Sequence, residues 1–131
     1  MESYFGDDSF VPLKEGMYRL RVLAIVPTVW KGFGDAWEWS FEVVEGQPYA
    51  GCRLNGKTRR SPTPKINDKF GRWYRAVTGS RPKKGDRVDV QQLVGKVCWG
   101  LVTAGVSHRG KLSNNVDLIF GGPHEGNLYP A

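Results

Sequence analysis

Twelve lysines and arginines lie between Arg53 and Arg87, against two acids, Asp68 and Asp86. That stretch of 35 residues carries +10, while the rest of the chain holds seven bases and eleven acids, or −4, giving the net +6. Charge gathered in this way suits a polyanion, because neutralising phosphates supplies most of the nonspecific affinity for nucleic acid. A solvated basic face with no partner is the competing reading. A second signal lies upstream. The segment Val29-Trp30-Lys31-Gly32-Phe33-Gly34 sets two rings and a lysine among glycines, away from any apolar stripe. Unpaired bases stack on such rings at ~1–3 kcal/mol per base, while basic side chains follow the phosphates. Stacking on a ligand and anchoring the loop both fit Trp30 and Phe33.

Catalytic chemistry finds little support. No nucleophile elbow, phosphate-binding loop or metal-binding helix motif is present, and Gly51 to Lys57 lacks phosphate-loop spacing. Asp7-Asp8 is an isolated acidic pair, and His108 and His124 have no chemical partner nearby in sequence. Cys52 and Cys98 are too few for a disulfide scaffold, and a zinc site would need both with both histidines. A non-enzymatic protein without metal or cofactor is expected, with both thiols free in a reducing cytoplasm. The longest apolar run, Val22 to Val26, is five residues, far below the ~20 of a membrane span. Met1-Glu2-Ser3-Tyr4 has neither a basic nor an apolar leader region, so no secretory signal is expected.

The elements that must position these residues follow from periodicity. Gly16 to Val26 reads as a strand with Tyr18, Leu20, Val22, Ala24 and Val26 on one face, ended by Pro27. Thr28 to Asp35 reads as a loop. Ala36 to Glu45 alternates strictly, Trp37, Trp39, Phe41 and Val43 against Glu38, Ser40 and Glu42. Glu45 to Pro48 is a turn. Gly51 to Arg60 is a third strand, with Cys52 and Leu54 opposed to Arg53, Asn55, Lys57 and Arg59. Thr63 as N-cap and Pro64 at the first position predict a helix in which Ile66, Phe70, Trp73, Tyr74 and Val77 form the buried stripe and Gly79 the C-cap. Val88 to Val94 holds a helical turn, Lys96 to Thr103 a fourth strand, and Asn115 to Phe120 a fifth. Trp39, Phe41, Trp73 and Tyr74 are assigned to the core, and Trp99 to either face. Arg19 and Arg21 are expected to face Glu38 and Glu42.

Three strands, a helix and two strands is the order of the OB-fold, a five-stranded Greek-key barrel that is all-β apart from one helix. An arm is expected over residues 1–14, the barrel over 15–122 and a loose tail over 123–131. In this fold nucleic acid usually lies on strands 2 and 3, flanked by the loops after strands 1 and 4. The candidate binding residues are therefore Trp30, Lys31 and Phe33 of the first loop, Trp37 at the barrel mouth, Arg53, Lys57, Arg59 and Arg60 of strand 3, and Arg109 and Lys111 after strand 4.

Four segments also carry a resemblance: Gly16-Met17-Tyr18-Arg19-Leu20-Arg21-Val22, Trp39-Ser40-Phe41-Glu42-Val43 through Gly51, Phe70 to Gly79, and Leu93-Val94-Gly95-Lys96-Val97-Cys98. In this pattern of strand, turn and helix the chain resembles the small OB-fold single-stranded-DNA-binding proteins of bacteriophages and integrated mobile elements. The resemblance implies a sequence-tolerant protein that coats exposed strands in replication or recombination within a bacterial host cell or its nucleoid. The expected partner is single-stranded DNA, with RNA as a variant and self-association left open; a membrane is not expected. Such proteins usually carry an acidic recruiting tail; Gly126-Asn127-Leu128-Tyr129-Pro130-Ala131 has no acid and only Glu125 precedes it, so recruitment through this segment is not expected. A non-enzymatic OB-fold subunit that docks an acidic protein is the alternative.

Overall fold

The strict alternation between Trp37 and Val43 produces a strand with one face committed to the core. In the computed structural model, which describes residues 13–65, 67–80, 83–106 and 112–121, Trp39, Phe41 and Val43 are buried while Glu38, Ser40 and Glu42 keep partial exposure. This strand is β2 (Gly34–Val43). It lies between β1 (Gly16–Trp30) and β3 (Arg53–Arg59), antiparallel to both. After β3 come α1 (Lys69–Thr78), a 3₁₀ turn (Val90–Leu93), β4 (Val97–Val106) and β5 (Leu112–Phe120). The strands close into a barrel in the order β1-β2-β3-β5-β4, with β4 returning to β1. All pairings are antiparallel except β3 with β5, which meet through a parallel pairing at Asn55 and Asn115. A closed five-stranded barrel with one helix between β3 and β4 is the OB-fold arrangement.

The barrel is filled by rings. Trp39 packs edge-on against Trp73 and Phe70, at centroid distances of 5.2 and 6.2 Å, and Phe41 lies 5.9 Å from Trp73. Edge-to-face pairs at this range add about 0.5–1.5 kcal/mol beyond their area. The Trp39 indole N–H donates to Thr58 Oγ1 at 2.9 Å, which satisfies the polar edge of a fully buried ring. Trp73 reaches this cluster because residue 56 is glycine. A Cβ there would stand 2.5 Å from the Trp73 ring and 3.0 Å from the Val116 carbonyl. Leu13, in the stretch expected as an arm, is also packed into the core. Its N–H donates to Asn114 Oδ1 at 2.7 Å and its carbonyl accepts from Asn114 Nδ2 at 3.2 Å. Among the described residues, no helix is long and apolar enough to cross a membrane.

Three expectations are corrected. First, β1 does not end at Pro27 but runs on to Trp30. Its pairing with β4 spans Gly16 to Arg21, so beyond that stretch β1 pairs through β2 alone, and such an edge tolerates a residue without an N–H. A register shift between Val22 and Ala24 also reverses the faces. Tyr18, Leu20 and Val22 are buried as expected, but then Ile25 points inward and Val26 is 45% exposed. Second, α1 starts at Lys69, not after Thr63. The N-cap is Asp68, whose Oδ1 accepts the Gly71 N–H at 2.9 Å and whose Oδ2 accepts the Lys65 N–H at 3.3 Å. Thr63, which precedes a proline and is thereby biased away from helical geometry, instead donates its N–H to Ser61 Oγ. Gly79 is the C-cap, left-handed at φ 79°, with its N–H donating to the Arg75 carbonyl. Third, Arg21 pairs with Glu42, but Arg19 does not face Glu38. Antiparallel register places Arg19 beside Val44, whose N–H donates to its carbonyl, and puts Glu38 between Val26 and Lys57.

Candidate nucleic-acid interface

Extending β1 to Trp30 turns the expected loop into a tight hairpin. Trp30 lies opposite Gly34, and the turn is Lys31-Gly32-Phe33, closed by the Phe33 N–H donating to the Trp30 carbonyl at 2.8 Å. The two rings pack on each other with centroids 4.5 Å apart and planes tilted by 36°. Phe33 keeps 54% of its surface exposed and Trp30 is half-buried. Two further elements bring cations to them. Arg59, at the end of β3 and opposite Ala36, holds its guanidinium 5.9 Å from the centre of the Phe33 ring. Lys69, in the first turn of α1, holds Nζ 6.0 Å from the Trp30 ring and 4.9 Å from Trp73. Burial lowers the Lys69 pKa and neighbouring Arg72 lowers it further, while Asp117 acts in the opposite direction. Hairpin, strand and helix thus build one cluster of rings capped by cations.

The other bases of β3 stand in a different field. Arg53 is opposite Glu42, which also pairs with Arg21 at 3.2 Å, and Lys57 is opposite Glu38. Their charge is offset locally, whereas Arg59 has Ala36 across the ladder. The positive end of this sheet is therefore its hairpin end.

Arg60, the next residue, serves another ring. Its guanidinium lies 5.6 Å from the centre of Trp37 and 3.8 Å from the Asp35 carboxylate. Trp37 is half-buried, packed against the core and on the rim of an open groove of about 1370 Å³. The groove runs between the segment leading into α1, the helix itself and the stretch before β4. Among the described residues its cations are Lys65, Lys83, Lys84, Arg87 and Lys96, and its one acid is Asp86, whose carboxylate accepts the Lys83 N–H at 2.8 Å. Tyr74, expected in the core, is half-buried: it packs against the core, with its ring 6.0 Å from Phe70, and also lines this groove.

Sequence reasoning placed Trp30, Lys31, Phe33, Trp37, Arg53, Lys57, Arg59 and Arg60 near one another. The structure gathers Trp30, Lys31, Phe33 and Arg59 at the hairpin, Trp37 and Arg60 at the groove, and Arg53 and Lys57 among acids. Arg109 and Lys111 lie outside the described residues, as do Asp7, Asp8, His108 and His124. The groove residues Tyr74, Lys84, Arg87 and Lys96 were missed as a site. The charge count contained Lys84 and Arg87, but no spacing announces their convergence with Lys96 and Tyr74. Trp99, ambiguous in sequence, is half-buried, while Cys98, Gly100 and Val102 turn inward. Both cysteines are free; Cys98 is buried, and burial pushes its thiol up to about 12.

Among the described residues, no group of three or more His, Cys, Asp or Glu side chains is arranged to hold a metal ion. No protein-family model matches the sequence, and no curated protein matches it. The reading of this surface therefore rests on its own chemistry: flat rings, partly exposed, beside cations held in place.

Proposed function

We propose that the protein binds single-stranded nucleic acid, DNA in the first instance, without strong sequence preference and without catalysing a reaction. The observation that carries this reading is the hairpin cluster, in which Trp30 and Phe33 pack at 4.5 Å with Arg59 over the Phe33 ring and Lys69 over the Trp30 ring. The basic side chains capture the phosphate backbone over a distance, and an unpaired base then settles on the exposed Phe33 ring. Every base has a flat face, so this mode tolerates sequence. The supporting rings are positioned by a closed barrel, so little ordering remains to be paid for on binding. The role that follows is the coating of exposed strands in replication or recombination within a phage-infected or element-bearing bacterial cell.

The test is a salt titration. Lys31 and Arg59 are both exposed, and replacing both with Ala leaves the core untouched. For single strands each phosphate contact contributes ~0.7 to the slope of log affinity against log salt. The double variant should bind more weakly, with a slope flatter by about 1.4. An unchanged slope would remove the hairpin end from the binding surface.

A further inference from the structure

We propose that the groove beside α1 is a second subsite for the same strand, which passes from the hairpin across the end of β3 and continues along the helix. This rests on the single-strand reading above and extends it to a surface away from the β2–β3 face. The link is the pair Arg59 and Arg60. Adjacent in sequence, they serve rings of two different sites, Phe33 at the hairpin and Trp37 at the groove, at 5.9 and 5.6 Å. A strand leaving the hairpin meets a second ring-and-guanidinium pair one residue further along the chain. The Arg60 Nε is buried and has no acceptor among the described residues.

Charge decides which way the strand goes. Continuing down the β2–β3 face would carry phosphates over Glu38 and Glu42, which stand beside Lys57 and Arg53. Turning into the groove passes the Asp35 carboxylate, already engaged at 3.8 Å by Arg60, and then carries them past Lys65, Lys83, Lys84, Arg87 and Lys96 with Asp86 as the one acid among the described lining residues. The walls also hold the partly exposed rings of Trp37 and Tyr74, a supply of flat faces that an acidic peptide does not require. At about 1370 Å³ the space exceeds the ~300–1,000 Å³ of a site for one small ligand and suits a run of nucleotides.

The experiment compares labelled oligothymidylates of about 5 and about 15 nucleotides, lengths within the ~4–16 covered by OB-folds, by fluorescence anisotropy over a range of salt. The variant is Lys84→Ala with Arg87→Ala, both exposed, so folding is not at stake. The wild type should bind the long oligonucleotide more tightly and with the steeper slope. The variant should flatten the long-oligonucleotide slope by about 1.4, two contacts at ~0.7 each, and leave the short one unchanged. Long-oligonucleotide binding unaffected by the variant would overturn the groove path while sparing the hairpin reading. Equal weakening at both lengths would overturn it too, since the groove would then not be a separate subsite. Poly-glutamate that binds the wild type and not the variant, with oligonucleotide binding unaffected, would assign the groove to an acidic protein. Failure of the wild type to bind either oligonucleotide would defeat the single-strand reading itself.

Discussion

Phe33 offers the sharpest separation of stacking from folding. Its ring sits in the hairpin turn, is 54% exposed, and touches Trp30 and the Arg59 guanidinium rather than the barrel core. Truncation to Ala removes one exposed aromatic pair, about 0.5–1.5 kcal/mol, and one exposed cation–π contact, about 0.5–1 kcal/mol. The stability loss should therefore stay below about 2.5 kcal/mol. Removing a fully buried ring such as Trp39 belongs to a different class, about 3–5 kcal/mol. If a base stacks on Phe33, affinity for a single strand should fall by ~1–3 kcal/mol, or roughly 5- to 150-fold. Phe33→Leu keeps apolar bulk without the flat face and should lose most of the same affinity. Anisotropy with a labelled oligothymidylate measures binding, and urea unfolding measures stability on the same samples. Phe33→Ala protein that unfolds at the same urea concentration as wild type and binds within twofold of it would show that the ring is not a stacking platform. Charge alone would then have to account for any binding.

Two further outcomes follow from the barrel interior. Gly56→Ala would set a Cβ 2.5 Å from the Trp73 ring and 3.0 Å from the Val116 carbonyl, and overpacking of this kind costs about 1–3 kcal/mol; equilibrium unfolding at wild-type stability would mean that Trp73 has room to move. Burial holds the Cys98 thiol neutral up to about 12, against an ordinary 9.0. The unfolded chain therefore ionises this thiol first, so the contribution is complete below pH ~9 and is lost as pH rises toward 12, at up to ~1.36 kcal/mol per pH unit. The stability of wild type relative to Cys98→Val should accordingly decline across that window, and parallel alkaline profiles for the two proteins would contradict the assignment.

The barrel was legible because its clearest strand alternates in pure form. Between Ala36 and Val43 each large apolar residue is separated from the next by a polar one, and that pattern admits one inward face. β1 was read less well for the opposite reason. The run Val22-Leu23-Ala24-Ile25-Val26 is apolar throughout, so nothing in it marks the register shift that sends Ile25 inward and Val26 out. The helix start was misjudged because Thr63 and Asp68 are both competent caps; Asp68 wins by accepting two backbone N–H groups at once. In the candidate site, Trp30 and Phe33 stood out by being rings among glycines. Tyr74 did not, since its spacing matches the buried stripe of α1, against which it does pack; that it also lines a groove depends on the tertiary fold. Lys84 and Arg87 were visible as charge, but their meeting with Lys96 across a groove is a property of the tertiary fold alone.

The proposed binding mode recognises unpaired bases, and not phosphates alone. Competition between an unlabelled single strand and the matching duplex for protein bound to a labelled oligothymidylate tests it at one fixed salt concentration. Charge by itself favours the duplex, whose phosphates are the denser array, whereas stacking on Phe33 and Trp37 requires bases that are free. The single strand should displace the label at a lower concentration than the duplex. Displacement by the duplex at an equal or lower concentration would contradict the account.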